Sequence, residues 1–297
     1  MDALRLVLDW IAPRLGGTPL IIGLAGAQGS GKSTLAGRLA ETASGRGRNV
    51  SSGGRIWRGG GRKAGAGGRT PAVGDMSAVA VSIDDFYLPK SRRIALAKRV
   101  HPLLATRGVP GTHDLPLLLD VLLRVRAGQP IALPRFDKVA DDRLPPQQWR
   151  CFDQIDLLIL EGWCIGARPQ PAALLTQPIN ALETAEDPHA IWRSHVNQAL
   201  AGQYQRAWAM LDGLAFLAAP DWETVPRWRA EQEASIGGHM DTAALARFCA
   251  HYERLTRWQL ATTPARAGLV LRLDPRRNVA SARFLHPSNA GVSGPLA

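Results

Sequence analysis

The chain has 297 residues, with 36 Lys and Arg against 25 Asp and Glu, a formal charge of +11. A hydrophobic content of 45% with 21% charged residues can bury the core of one or two domains and excludes a globally disordered chain. No stretch approaches the roughly 18 apolar residues that cross a bilayer, and the widely spaced Cys151, Cys164 and Cys249 exclude a disulfide framework or a cysteine zinc site, so a cytoplasmic protein is predicted.

The opening segment is no signal peptide, because Arg5 and Asp9 interrupt its apolar run; Leu4, Val7, Leu8, Ile11 and Leu15 instead predict one face of a helix. Residues 19–25 form a short apolar run bounded by glycines, which predicts a buried strand, and residues 32–41 have helical spacing. A strand is predicted over 79–83, and a helix follows Asp114 and Pro116 and stops at Gly128. The run 155–160 predicts a third strand that ends at Glu161.

A long helix is predicted from Asp187-Pro188, with Ile191, His195 or Val196, Leu200, Tyr204, Trp208 and Leu211 on one stripe. Two more strands are expected at 214–218 and 269–273. Between them Asp241 caps a helix with Leu245, Phe248, Tyr252 and Leu255 turned inward. Residues 281–297 mix Ser, Pro, Gly and Asn and predict a loose tail. Strands alternating with helices imply one α/β domain over 1–280 built on a mostly parallel sheet.

Residues 44–77 depart from this pattern. Eleven of these 34 residues are Gly, and Arg46, Arg48, Arg55, Arg58, Arg62, Lys63 and Arg69 stand against Asp75 alone. So few sizeable apolar residues cannot offset the entropy of ordering, which predicts a disordered surface insertion. The alternative is a Gly/Arg arm that contacts RNA through phosphate charge, with Trp57 its only aromatic. The high net charge is concentrated here and does not by itself argue for a nucleic-acid partner.

The chemistry is carried by Gly26-Ala27-Gln28-Gly29-Ser30-Gly31-Lys32-Ser33, which fits GxxxxGK[ST] between a predicted strand and a predicted helix and is followed by Thr34. Glycines there let backbone N–H groups converge on phosphates at a helix N-terminus. Lys32 would reach the β/γ-phosphates and the Ser33 hydroxyl would ligate Mg²⁺, so ATP and Mg²⁺ are the expected cofactors. No NKxD sequence occurs, which argues against a GTPase.

Asp84 and Asp85 follow the second strand, at the sheet edge where ligands bind in such folds. A positioned carboxylate there can accept the proton of an attacking alcohol, and Asp84 is the better candidate, with Asp85 left open. Glu161 suits the Mg²⁺-side carboxylate after an apolar strand. Of the nine tryptophans, Trp149, Trp192, Trp208, Trp222, Trp228 and Trp258 read as packing residues; Trp163, beside Glu161, lies at the same edge.

The combination GAQGSGKST, SIDDFYL, RGVPGTHDL, LPRFDK, LLILEGW and RWRAEQE resembles the D-glycerate 3-kinase family, within the P-loop group of uridine kinase, phosphoribulokinase and pantothenate kinase. The similarity runs from about Pro19 to Asn278 with the insertion removed. It implies a P-loop three-layer α/β/α fold with a helical lid, and phosphorylation of D-glycerate, or of another hydroxyl acceptor such as a nucleoside, pantothenate-like acid or sugar. It also implies that Asp84 is the general base, and that Asp85, Tyr87, Arg107, His113, Asp114, Arg135 and Lys138 face the acceptor. His113 could instead bond Asp114. Arg227 and Arg229 would sit on a lid over the phosphates.

Overall fold

The computed structural model describes residues 1–15, 19–45, 74, 76–235 and 240–285. Most of the insertion, residues 46–73 and 75, lies outside the described residues. Helix α1 (Ala3–Ile11) starts at Asp2, whose carboxylate accepts from Leu4 N, and it buries Val7, Trp10 and Ile11; Leu15 falls past its end. Strand β1 (Leu20–Gly26) is buried throughout and leads into α2 (Lys32–Ala43). Then come β2 (Ala78–Ser82), α3 (Lys90–Arg99) and α4 (Leu115–Arg126). As the sequence predicts, Asp114 caps α4 and Pro occupies its first turn, and Gly128 just beyond sits at φ +62°.

Strand β3 (Ile131–Leu133) precedes a small hairpin of β4 (Phe136–Asp137) and β5 (Asp142–Arg143). Strand β6 (Arg150–Phe152) returns to pair with β3. The rest comprises β7 (Leu157–Gly162), α5 (Ala181–Glu186), α6 (Ile191–Ala199), α7 (Gln205–Trp208), β8 (Gly213–Ala218), α8 (Thr224–Ser235), α9 (Thr242–Thr262), β9 (Leu269–Leu273) and β10 (Val279–Phe284).

The main sheet runs β10-β9-β8-β1-β7-β2, parallel except for β10. Because side chains alternate along a strand, each strand feeds two cores. Ile21, Val81, Leu158, Leu160, Phe216 and Val270 pack with α4 and with Tyr252 and Leu255 of α9. Ile22, Leu24, Ile159, Leu217 and Leu271 pack with α1, α2 and α8. This is the three-layer α/β/α arrangement.

Four expectations are corrected. The third strand begins at Leu157 rather than 155, because the N–H groups of both Asp156 and Leu157 turn to the Ser77 carbonyl, and Glu161 lies inside the strand. The long helix after Asp187 is broken into α6, a π turn over Leu200–Tyr204 and α7. Gly202 there takes φ −89°, ψ −118°, and the Gln205 amide donates to Leu200 O. Ile191, expected inward, is exposed. The expected loose start of the tail at 281 is a strand instead: residues 281–284 belong to β10, which pairs antiparallel with β9, and 286–297 lie outside the described residues. Helix α3 gave no sequence signal because it buries little besides Arg93 and Leu96.

Candidate active site

Three parallel strands end side by side, and register sets what meets there. Ser82 on β2 pairs with Glu161 on β7, and Leu24 on β1 pairs with the same Glu161. The phosphate loop leaves β1, Asp84 leaves β2 and Glu161 is the next-to-last residue of β7, so residues about 130 positions apart in sequence converge at one sheet edge. Gly29 and Gly31 hold φ of +73° and +83°, the left-handed region that glycine allows. A Cβ at Gly29 would come within 2.8 Å of the Trp228 backbone, so the loop is pressed against α8.

The Ser33 hydroxyl donates to Glu161 Oε1 at 3.0 Å, while the buried Oε2 has no partner among the described residues. Gln28 Oε1 and the Ser30 hydroxyl are also buried without partners among the described residues. Among the described residues Lys32 Nζ reaches only the Ala27 carbonyl, at 3.4 Å. Buried polar groups are normally satisfied, so this ring of unspent donors and acceptors is shaped for a polar ligand. Burial raises the Glu161 carboxyl, helped by the charge of Asp84, while Lys32 and the Ser82 and Ser33 hydroxyls pull it back.

Asp84 is gripped from both sides. Tyr87 Oη donates to Oδ1 at 2.8 Å and Lys138 Nζ to Oδ2 at 2.7 Å. Burial opposes its charge, yet the Lys138 ammonium, both hydrogen bonds and Lys32 hold the carboxyl below the usual aspartate range. Asp85 differs: its Oδ1 accepts Phe136 N at 3.2 Å, and burial raises its pKa. It therefore fastens the β4–β5 hairpin, and that hairpin delivers Lys138 to Asp84.

Arg107 donates to the Asp141 carboxylate and to Lys138 O at 3.2 Å, and its guanidinium lies over the Phe136 ring. Asp141, at φ +56°, also pairs with the buried Arg93 at 2.9 Å. Arg135 is exposed, with no side-chain hydrogen bond among the described residues. Two expectations shift here. Asp114 uses Oδ1 to cap α4 and Oδ2 to pair with Arg143 at 2.9 Å, so both of its oxygens are occupied structurally. His113 bonds not Asp114 but Tyr204, with Nδ1 and Oη 2.6 Å apart, and stacks on Tyr87 at 4.6 Å. It braces the ring that holds Asp84.

Burial lowers His113 to about 4, against the opposing charge of Asp84. The unfolded chain binds its proton near pH 6.5. The neutral histidine's contribution is therefore complete above pH 6.5 and is lost as pH falls towards 4, by about 3 kcal/mol. Urea unfolding between pH 7 and 4 is expected to show this loss, and His113→Phe, which keeps the stacking, is expected to reduce the slope. An unchanged slope in that variant would refute the assignment.

The Arg227 and Arg229 side chains do not lie together. Two positions apart on α8, they point to different sides. Arg227 is exposed and reaches Pro275 O at 3.4 Å, whereas Arg229 turns in over Phe248 and pairs with Glu233 at 2.6 Å, with its buried Nη1 unpartnered. Trp163 is buried, donates to Gly108 O at 3.0 Å and packs edge-on against Tyr252, which makes it a packing residue. Sequence reasoning missed Arg143, Tyr204 and Arg277. Arg277 Nε donates to Gly29 O at 2.6 Å and its guanidinium pairs with Glu231 of α8 at 2.6 Å, binding the loop to that helix. Nothing local to residues 274–278 announces a contact 248 positions away.

No family model matches the chain. It is 29% identical over 273 residues to the uncharacterized kinase mug58 of Schizosaccharomyces pombe, across 85% of this chain and 87% of that protein. Its fold superposes on a D-glycerate 3-kinase structure from Cryptococcus neoformans with a TM-score of 0.73 and 21% identity, covering 96% of this chain and all of that one. The chain is a P-loop kinase. A pantothenate kinase of Xanthobacter autotrophicus is 32% identical over 148 residues, half of this chain and 36% of that protein. Among the described residues of this kinase, no helix is long and apolar enough to cross a membrane.

Proposed function

We propose that this kinase transfers the γ-phosphoryl group of ATP directly to a hydroxyl of a small hydroxy acid, D-glycerate first, giving 3-phospho-D-glycerate. The observation that carries the reading is Asp84: an ionised carboxylate clamped by Tyr87 and Lys138 at the sheet edge that also holds the phosphate loop. A D-glycerate 3-kinase as structural neighbour supports the choice of acceptor.

In this reading Asp84 accepts the proton of the attacking hydroxyl, and its two hydrogen bonds aim it. Lys32 swings from the Ala27 carbonyl to the β/γ-phosphates. Ser33 and Glu161 would hold Mg²⁺, and the partnerless Glu161 Oε2 beside the Ser33 hydroxyl fits that task. When bound, the ion neutralises phosphate oxygens as charge shifts. Arg107 and Arg135 would take the acceptor's carboxylate, for which a guanidinium fork is suited. Arg107 already holds one carboxylate, that of Asp141. The unpartnered Nη1 of Arg229 would meet transferred charge when α8 closes.

A second reading, a pantothenate-like acceptor, is favoured by the pantothenate kinase match. It needs the same carboxylate clamp. ADP release with Mg·ATP over D-glycerate, L-glycerate, pantothenate, uridine and ribulose 5-phosphate separates them. Stimulation by D-glycerate alone is expected; stimulation by another acceptor alone would discard glycerate. Lys32→Ala is expected to lower kcat/KM by about 10²–10³-fold, and an unaffected enzyme would contradict the phosphate-loop assignment.

A further inference from the structure

A cavity of about 560 Å³ opens at the amino ends of β8 and β9, the pole of the sheet opposite the phosphate loop. Arg14, Arg168 and Arg266 line it, with Asp212 the one carboxylate. Asp212 is already spent: it accepts Ile21 N at 2.7 Å and Arg126 Nη2 at 2.9 Å. None of the three lining arginines has a carboxylate partner among the described residues. Arg14 lies over the Trp10 ring at 4.4 Å and donates to its carbonyl, and Arg266 reaches only the Thr263 hydroxyl, at 3.1 Å. Burial, and then the charge of Arg168, push Arg266 down to about 10, so these two guanidinium groups crowd one another uncompensated.

Residues 275–284, which lead into the lining Leu285, contain no Asp or Glu. Trp10 and Trp208, both more than nine-tenths buried, also line the cavity, and neither indole N–H has a partner among the described residues. A folded chain that concentrates like charge in a concave, aromatic-walled site gains from an anion that neutralises it.

We infer that this cavity is a second ligand site, distinct from the phosphate loop, for a small organic phosphate. The phosphate would be held by Arg14, Arg168 and Arg266 and the organic body laid against Trp10 and Trp208. The volume suits a ligand of metabolite size.

The probe is inorganic pyrophosphate without Mg²⁺, titrated into the full chain while the indole N–H signals are followed by NMR, with Trp10→Phe and Trp208→Phe identifying two of them. Saturable movement of both signals is expected with Kd below about 1 mM, weakened about tenfold in Arg168→Ala through loss of a charge-assisted contact. Arg168 is exposed and its side chain makes no hydrogen bond among the described residues, so that variant keeps the fold. The movement is expected to persist in Lys32→Ala. The proposal is overturned by no saturation, by an unchanged Kd in Arg168→Ala, or by loss of the movement in Lys32→Ala, which would place the anion at the phosphate loop.

Discussion

Asp84→Asn is expected to lower kcat by about 10²–10⁴-fold, the range for loss of a positioned general base, with nucleotide affinity changed by no more than about twofold. The amide keeps the shape of the side chain and can still accept from Tyr87. It cannot take a proton, and it leaves Lys138 without its counter-charge. Asp85→Asn is the internal control. Asp85 is bound to Phe136 N and serves the hairpin, so its loss is expected to raise the acceptor KM more than it lowers kcat. Steady-state rates for both variants, with ADP binding measured separately, decide the matter. Full turnover in Asp84→Asn would end the assignment of the base, as would a larger kcat loss in Asp85→Asn.

Asp187→Ala is expected to cost about 3–5 kcal/mol of stability, the range for stranding a buried charge. Asp187 and Arg193 are each almost wholly buried, with Nη1 to Oδ2 at 3.0 Å. The same carboxylate accepts Trp192 N at 2.8 Å and Arg193 N at 3.1 Å, anchoring the first turn of α6. Trp192 in turn packs with Leu96, Leu103, Leu104, Val109 and Leu182, the small core beneath the RGVPG loop that carries Arg107. Replacing both partners, as in Asp187→Leu with Arg193→Met, removes the stranded charge. The double variant is expected to lose less than Asp187→Ala alone. Urea midpoints test this: a loss below about 1 kcal/mol in the single variant would show that the pair is not an anchor.

Much of the site could be read before folding is considered. Residues 26–33 carry their function locally, since Gly29 and Gly31 need positive φ and Lys32 and Ser33 begin the helix that follows. Asp114, Pro116 and Gly128 likewise mark both ends of α4 through caps that act within a turn. Legibility stopped where partners are distant. The motif LPRFDK carries Lys138, but its bond to Asp84 across 54 positions follows from Asp85 pinning the hairpin. His113 reads equally well as a substrate ligand or as a partner of Asp114. Its true partner, Tyr204, comes from a helix broken at Gly202, and regular 3.6-residue spacing gives no sign of that break.

By itself, then, the sequence determined a strand–phosphate loop–helix unit, an alternating α/β chain and the acids that stand at strand ends. Each depends on periodicity or on contacts within a few residues. The tertiary structure alone decided that Asp84 rather than Asp85 is the carboxylate clamped by Tyr87 and Lys138 and that Arg227 and Arg229 diverge. It also decided that Arg277 ties Gly29 to α8 and that three arginines share a cavity at the far pole. Those outcomes depend on strand register, helix phase and burial, which arise only when segments far apart in the chain are packed together.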